Sequence, residues 1–135
     1  MKIGFISGVF DCLHEGHLHL LYSARLSCDL LIVSINCDWR VKMKKGLSRP
    51  IDTSRIRKEK LLETGLVNIV FINGEKTPLG LIKQIRPQII FVGDDYSEKT
   101  TVGAEEIKAW GGEVKIIKRI GGISTTKILK DRKNG

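Results

Sequence analysis

The sequence predicts an α/β fold in which one domain wraps helices around both faces of a five-stranded parallel sheet. Three observations carry this prediction. Short aliphatic runs alternate with amphipathic stretches along all 135 residues. The aliphatic runs are apolar almost throughout, as strands buried on both faces must be. No linker rich in proline or glycine divides the chain, so we expect a single domain spanning residues 1–135.

Five segments have the composition of buried strands. They are residues 2–7, 30–36, 68–72, 88–92 and 113–117. Helices are predicted between them and after the last, over residues 16–28, 53–64, a segment beginning at 77, 102–110 and 124–133. Thr77 and Pro78 form a strong helix start, with threonine as N-cap and proline in the first turn. Ser124 has the same capping role for the last helix.

Strands that alternate with helices imply right-handed crossovers and a doubly wound, Rossmann-like sheet. Such sheets bind ligands in the crevice beyond the carboxyl ends of their strands. We therefore expect the chemistry to lie just after Ser7, Asn36, Val92 and Ile117, where polar residues cluster.

The composition indicates a soluble protein with a basic excess. There are 23 Lys and Arg against 15 Asp and Glu, a net charge of +8, which favours anionic partners. The aliphatic runs are too short for a membrane span, and polar residues interrupt the apolar N-terminus, so no signal peptide is predicted. Three cysteines without CxxC spacing indicate neither a disulfide framework nor a zinc site, and we expect a cytoplasmic protein.

The turn after the first strand is the most informative segment. His14 and His17 are three residues apart and flank Gly16, where a helix is predicted to begin. Two imidazoles would then lie beside the free amides and positive end of a helix, a place suited to a polyphosphate. The alternative is a structural turn with incidental polar residues. His19 fills no such position and is interpreted as structural.

Residues 8–17 read Gly-Val-Phe-Asp-Cys-Leu-His-Glu-Gly-His and resemble the GxFDxxHxGH signature of the cytidylyltransferase-like nucleotidyltransferases. The resemblance implies that His14 and His17 are catalytic. It also implies that the other motif positions bind nucleotide, namely Gly8, Val9, Phe10, Asp11 and Gly16. Cys12 fills a variable position, and a nucleophilic role for it is the less favoured reading.

Two later segments agree with this family. Arg119 followed by Gly-Gly-Ile-Ser-Thr-Thr is similar to its closing motif, which assigns nucleotide binding to Arg119, Ile123, Ser124 and Thr125. A simple N-cap is the alternative for Ser124. The third block is Gly93-Asp94-Asp95, whose carboxylates would accept hydrogen bonds from a ribose or base, or help to hold a magnesium–nucleotide complex; a plain Asp-rich turn is its alternative.

A basic segment, residues 40–49, follows the second strand and contains the breaker Gly46. From Val41 to Arg57 the chain resembles the pattern VKxxKGxSRPxxxxxxR of heptose 1-phosphate adenylyltransferase domains. That resemblance makes Lys45, on a mobile loop, and Arg57 catalytic cations. A solvated basic face is the alternative for such charge runs. The GDD block instead resembles glycerol-3-phosphate cytidylyltransferases, so adenine and cytosine both stay open.

The resemblance implies transfer of a nucleotidyl group from ATP or CTP, with Mg²⁺ held by the triphosphate and no metal bound directly by the protein. The partners it implies are a nucleoside triphosphate, a phosphorylated small-molecule acceptor and a second copy in a homodimer, with no nucleic acid and no membrane. A non-catalytic nucleotide- or nucleic-acid-binding module is the alternative that the net charge suggests. A dinucleotide-binding oxidoreductase is excluded, because no GxGxxG follows the first strand.

Overall fold

The computed structural model describes residues 1–119. Five strands form one sheet: β1 (Ile3–Gly8), β2 (Leu30–Asn36), β3 (Ile69–Asn73), β4 (Ile89–Gly93) and β5 (Glu113–Ile117). Five α-helices connect them: α1 (Glu15–Arg25), α2 (Asp38–Lys45), α3 (Ser54–Glu63), α4 (Leu79–Ile85) and α5 (Ala104–Lys108). A short 3-10 turn covers Glu98–Thr100. Among these residues no helix has both the length and the apolar character to cross a membrane.

The sheet is parallel, with the strand order β3-β2-β1-β4-β5, so the predicted doubly wound α/β fold is confirmed. The order reverses between β1 and β4, which is the switch point where such sheets bind ligands. β1 pairs with β2 along its full length but with β4 only through Gly4 and Phe5. Beyond Phe5 the two central strands are no longer paired, and a crevice opens between their carboxyl ends.

Two apolar layers cover the two faces of the sheet. Ile6 on β1 and Val33 on β2 pack with Leu21 of α1 and Leu61 of α3. The alternate residues of the same strands face the other way. Phe5 of β1, for example, packs with residues of α4 and α5 in the second layer, which consists of Phe5, Ile32, Ile82, Ile90 and Ile107. The core therefore supports the crevice from both sides.

The strands lie within one residue of their predicted bounds, and β2 and β5 match them fully. The helices differ more. α1 ends at Arg25, and Leu26, its C-cap, is 71% exposed. α4 begins one residue later than predicted, because Pro78 rather than Thr77 is its N-cap. The Thr77 hydroxyl accepts a hydrogen bond from Leu79 N at 3.3 Å. The predicted last helix, residues 124–133, lies outside the described residues.

The basic segment after β2 is partly a helix rather than a loop. α2 has a single fully buried residue, Val41, so the apolar periodicity that reveals other helices is missing from its sequence. Its ends nonetheless favour a helix, with Asp38 in the first turn and a run of lysines in the last, where charges complement the helix dipole. Gly46 ends it at φ 107°, in the region open to glycine.

Candidate active site

A cavity of about 610 Å³ opens at the carboxyl ends of the strands. Volumes of this size suit a small-molecule ligand. Ten of the residues predicted from the sequence line it: Gly8, Val9, Phe10, His14, Gly16, His17, Lys45, Gly93, Asp95 and Arg119. The crevice thus brings together the histidine turn, the basic segment and the end of β4, which are far apart in the chain.

The turn between β1 and α1 is shaped by an inward-facing phenylalanine. Phe10 is buried with a φ of 53°, and its ring centroid lies 5.2 Å from that of His17. A Cβ atom at Gly8 would lie 2.9 Å from the Phe10 ring, so the glycine makes room for this packing. The Phe10 ring thereby packs against the His17 ring and helps to fix its position.

The two motif histidines cap α1 reciprocally. His14 is the N-cap, and its Nδ1 accepts a hydrogen bond from Gly16 N at 3.0 Å. His17 Nδ1 accepts from the His14 backbone N–H at 3.3 Å, and the two rings stack with centroids 3.7 Å apart. Because both Nδ1 atoms act as acceptors, both neutral rings carry their proton on Nε2.

Both imidazoles are neutral in the unliganded protein. Burial lowers the pKa of His14, and burial together with the neighbouring His14 and Lys45 lowers the pKa of His17 to about 4, against an opposing effect of Asp11. The His14 Nε2 atom is buried and has no hydrogen-bond partner among residues 1–119. A buried donor without a partner is costly, so this atom is set to donate to a ligand in the cavity.

Lys45, at the end of α2, brings positive charge to the same wall of the cavity. Burial, Arg49 and Lys44 lower the pKa of Lys45, whereas Asp11 raises it. The residue is exposed and lines the cavity, so its ammonium attracts an anion bound there. Lys45 therefore lies where it can contact phosphate oxygens, on a helix end rather than on the loop predicted from the sequence.

The Asp11 carboxylate has a structural task. It is 1% exposed and accepts hydrogen bonds from the backbone N–H groups of Ile51 (2.8 Å) and Asp52 (2.9 Å). Burial raises the pKa of Asp11, but these two amides and the nearby Arg49 guanidinium outweigh it and lower the pKa below its ordinary value. Asp11 ties the motif turn to the segment that leads into α3, and its side chain does not line the cavity.

Arg57 differs from the prediction as well. Its side chain is 0% exposed and does not line the cavity. Nη2 donates to an Asp38 carboxylate oxygen at 2.8 Å, Nη1 to the Val9 carbonyl at 2.9 Å and Nε to the Asp52 carbonyl at 3.0 Å. All three guanidinium nitrogens donate to groups of the protein itself, so Arg57 holds the motif turn in position.

The end of β4 combines a close approach with an ion pair. A Cβ at Gly93 would lie 2.9 Å from an Asp95 carboxylate oxygen, so glycine lets Asp95 fold back toward the cavity. Asp94 points elsewhere and accepts from both Arg119 N (3.2 Å) and Arg119 Nε (2.7 Å), which lower the pKa of Asp94. This pair joins the ends of β4 and β5 at the cavity rim.

The cavity has few ligands for a metal ion. Among the described residues that line it, Asp95 is the only carboxylate, while five side chains are cationic: Lys44, Lys45, Lys76, Lys118 and Arg119. Asp11, Cys12 and Asp52 lie close together, but Asp11 is engaged as described above and Asp52 pairs with Lys60 at 2.9 Å. This set fits a magnesium ion held mainly by the phosphates of a nucleotide, with Asp95 as the available protein ligand.

The predicted residues and the residues that line the cavity do not coincide completely. The predicted binding residues Ile123, Ser124 and Thr125 are outside the described residues. His19 also lines the cavity, and its Nε2 donates to the Lys118 carbonyl oxygen at 2.9 Å, which links α1 to the end of β5. Several polar side chains that line the cavity were not predicted: Ser34, Asn73, Lys76, Thr77 and Tyr96. Ser34 lies inside an apolar strand, where only its period-two spacing from Asn36 gives a signal.

Comparisons with known proteins identify the family of this chain. The model of the cytidylyltransferase-like family matches residues 5–131. The chain is 46% identical over 130 residues to the bifunctional protein HldE of Nitrobacter winogradskyi, covering 96% of this chain and 27% of that protein. It is 44% identical over 125 residues to the bifunctional protein HldE of Acidiphilium cryptum, covering 93% of this chain and 26% of that protein. The chain thus spans about a quarter of the length of these relatives.

Among solved structures, the fold is similar to that of the lipopolysaccharide core biosynthesis protein from Thermoplasma volcanium. The TM-score is 0.70 at 27% sequence identity, and the match covers 88% of this chain and 96% of that one. The two chains are therefore alike in fold and nearly alike in extent.

Proposed function

Since this chain belongs to the cytidylyltransferase-like family of nucleotidyltransferases, we propose that it transfers a nucleoside monophosphate from a nucleoside triphosphate to a phosphorylated sugar or polyol. Pyrophosphate is released. The preferred pair is ATP with a heptose 1-phosphate, because the segment from Val41 to Arg57 has the pattern typical of those adenylyltransferase domains.

One observation supports this function above the others. His14 and His17 present two Nε2–H donors at the N-terminus of α1, and the His14 donor is buried without a partner among residues 1–119. A triphosphate oxygen supplies the missing acceptor, and the free amides of the first helical turn add further donors. A purely structural turn gives no reason to leave this donor unsatisfied.

The reaction needs alignment and charge neutralisation more than proton transfer. An oxygen of the acceptor phosphate attacks the α-phosphorus, the bond from that phosphorus to the bridging oxygen breaks, and pyrophosphate leaves with the electron pair. A phosphate monoester is already anionic at pH 7, so no general base is required. The protein must stabilise the negative charge that grows on the phosphorus oxygens.

His14 and His17 donate hydrogen bonds to those oxygens, and Lys45 adds a positive charge on the same wall of the cavity. Neutral imidazoles are suited to this task, because they retain their donors without the solvation of a full charge. Magnesium bound with the nucleotide would neutralise the leaving pyrophosphate. Arg57 contributes indirectly, by holding the Val9 carbonyl and thereby the turn that carries both histidines.

A CTP-dependent reaction with glycerol 3-phosphate is the second candidate. The Gly93-Asp94-Asp95 sequence favours it, because this form of the block is typical of glycerol-3-phosphate cytidylyltransferases. The Asp94–Arg119 ion pair lies at the rim of the cavity, where a base edge would be recognised. In this proposal, residues at the ends of β4 and β5 select ATP or CTP. The role of the two histidines is the same with either nucleotide.

The test is pyrophosphate release over a grid of the four nucleoside triphosphates against phosphorylated sugars and polyols. The proposal expects one strong combination, with ATP and a heptose 1-phosphate ahead of CTP and glycerol 3-phosphate. A His17→Ala variant assayed in the same grid controls for contaminating activity. Pyrophosphate release that is absent throughout, or equal in the variant, would refute the proposed function.

We also propose that the protein works in the cytoplasm as a homodimer. The three cysteines, Cys12, Cys28 and Cys37, are an odd number without CxxC spacing, which supports a reducing compartment. Cell fractionation followed by detection with an antibody tests the cytoplasmic location. Light scattering of the purified protein measures its molar mass and so tests the homodimer.

A further inference from the structure

The crevice continues onto the face of the sheet opposite α1. Ser7 lies two residues beyond Phe5 on β1, and Ser34 lies two residues beyond Ile32 on β2. Side chains two apart share a face, so both serines point to the side on which Phe5 and Ile32 pack with α4 and α5. Ser7 and Ser34 are also register partners across the two strands.

The same face carries two asparagines one step further along the strands. Asn36 ends β2, Asn73 ends β3, and the two are register partners. α4 and α5 are only seven and five residues long, and they pack on the apolar part of this face. The polar part is left open to the cavity. We call it the α4-side lobe, defined by Ser7, Ser34, Asn36, Asn73, Lys76 and Thr77.

Ser34 shows that the α4-side lobe is built for a ligand. The residue is 2% exposed, and it lines the cavity. The strand around it is otherwise apolar, so packing alone favours an aliphatic residue at this position. A hydroxyl at the cavity wall in such a strand is explained if a bound molecule exchanges hydrogen bonds with it.

Lys76 is brought to the lobe by a turn that begins at the buried Asn73. Asn73 is 7% exposed; its Nδ2 donates to the Thr77 carbonyl at 3.1 Å, and its Oδ1 accepts from Glu75 N at 3.1 Å. These two bonds shape the backbone on both sides of Lys76. The Lys76 ammonium has no ion-pair partner in the described part of the chain, so it is available to a ligand.

We propose that the α4-side lobe binds the sugar or polyol part of the acceptor, with Ser34, Asn36 and Lys76 as its specificity-determining residues. This inference rests on the proposed function. Hydroxyl and amide groups both donate and accept, which matches a molecule rich in hydroxyls, and the lysine donates to hydroxyl or phosphate oxygens.

The position of the lobe also fits the chemistry. The triphosphate cradle is formed by α1, which packs on the other face of the sheet. An acceptor in the α4-side lobe therefore approaches the triphosphate from the side of the sheet away from α1. In-line displacement needs the attacking oxygen and the leaving pyrophosphate on opposite sides of the α-phosphorus, and binding sites on opposite faces of the sheet fit this requirement.

The test compares Lys76→Met with Lys83→Met, using the triphosphate and acceptor that the grid identifies. Both lysines are exposed, but Lys83 is on α4 and does not line the cavity. We expect Lys76→Met to raise the acceptor KM about tenfold, as loss of a charge-assisted hydrogen bond would. The triphosphate KM and kcat should stay within about twofold of wild type, and Lys83→Met should resemble wild type in all three constants.

Ser34→Ala provides a second measurement, with an expected rise in the acceptor KM of about threefold to fivefold. An unchanged acceptor KM in both Lys76→Met and Ser34→Ala would overturn the inference while leaving the proposed function intact. So would a rise in the triphosphate KM instead, since the lobe would then bind nucleotide. A wild-type protein without activity anywhere in the grid would refute the proposed function, and this inference with it.

Discussion

The chemistry of the site depends on which nitrogen of each imidazole carries the proton. The amide of Gly16 donates to His14 Nδ1 and the amide of His14 donates to His17 Nδ1, so the helix backbone itself selects the tautomer. Both Nε2–H groups are then directed away from the helix and available to a ligand. A helix cap and a pair of catalytic donors are therefore the same two residues.

Replacement of His17 by alanine should separate catalysis from binding. The Nε2–H donor acts on charge that develops in the transition state, and a donor of this kind contributes roughly 3–4 kcal/mol. We expect kcat to fall by about a hundredfold or more, with a much smaller loss of nucleotide affinity. Single-turnover kinetics and nucleotide titration measure the two effects. His19→Gln is the control, because its amide retains a donor to the Lys118 carbonyl; near-normal turnover in His17→Ala would remove the catalytic assignment.

The lowered pKa of His17 should appear in the pH dependence of stability. With a pKa of about 4 in the folded protein and about 6.5 when unfolded, the unfolded chain binds more protons between these values. Stability contributed by the neutral ring is thus complete above pH 6.5 and is lost as the pH falls toward 4, by at most about 1.4 kcal/mol per pH unit. Urea unfolding of wild type and His17→Gln at pH 4.5, 5.5 and 7 measures it. Equal pH slopes in the two proteins would contradict the prediction.

At the scale of elements, Arg57 is the point at which α3, α2 and the motif turn meet. Its guanidinium joins Val9, Asp38 and Asp52, which belong to three different segments. Arg57→Met keeps most of the volume but removes the donor from the Val9 and Asp52 carbonyls, and it leaves the Asp38 carboxylate with only the Ser54 amide as a donor. We expect a loss of about 2–4 kcal/mol in the free energy of unfolding, measured by urea denaturation.

The matched comparison is Arg55→Met, because Arg55 is two residues away on the same helix but exposed, where it pairs with Glu59 at 3.2 Å. Exposed pairs of this kind contribute little, so this variant should stay within about 0.5 kcal/mol of wild type. If Arg57→Met were equally mild, the proposed brace between these segments would not exist.

The elements also show what the sequence can and cannot predict. β2 was predictable to the residue because a strand buried on both faces is apolar along its whole length. α2 was not, because only Val41 is fully buried and its charges resemble those of a basic loop. The position of His14 and His17 at the start of α1 was predictable because they lie only three residues apart in the chain. The burial of Arg57 and the α4-side lobe depend on contacts between distant segments, which no local pattern reveals.

For the whole molecule, the sheet order concentrates charge at one place. Among the described residues that line the cavity, five of the cationic side chains behind the net charge of +8 face one carboxylate, Asp95, and Arg119 is also paired with Asp94 at the rim. An uneven distribution of this kind attracts small polyanions to the crevice and strengthens their binding there. A salt titration separates a nucleotide site from a general polyanion-binding surface. Specific nucleotide binding should persist in added salt, whereas binding through charge alone should weaken steeply.

Nucleotide binding should therefore stabilise the whole domain. A non-hydrolysable ATP analogue with Mg²⁺ at about 100 times its Kd should add roughly 2.7 kcal/mol, which raises the melting temperature by on the order of 8 °C. Differential scanning fluorimetry at 150 mM NaCl measures the shift, with sodium sulfate at equal ionic strength as the comparison. Lys45→Met should lose much of the shift, whereas Lys83→Met should keep it. If sulfate stabilised the protein as much as the analogue did, or if both variants behaved alike, the positive charge would act as a general anion surface and the crevice would not be a nucleotide site.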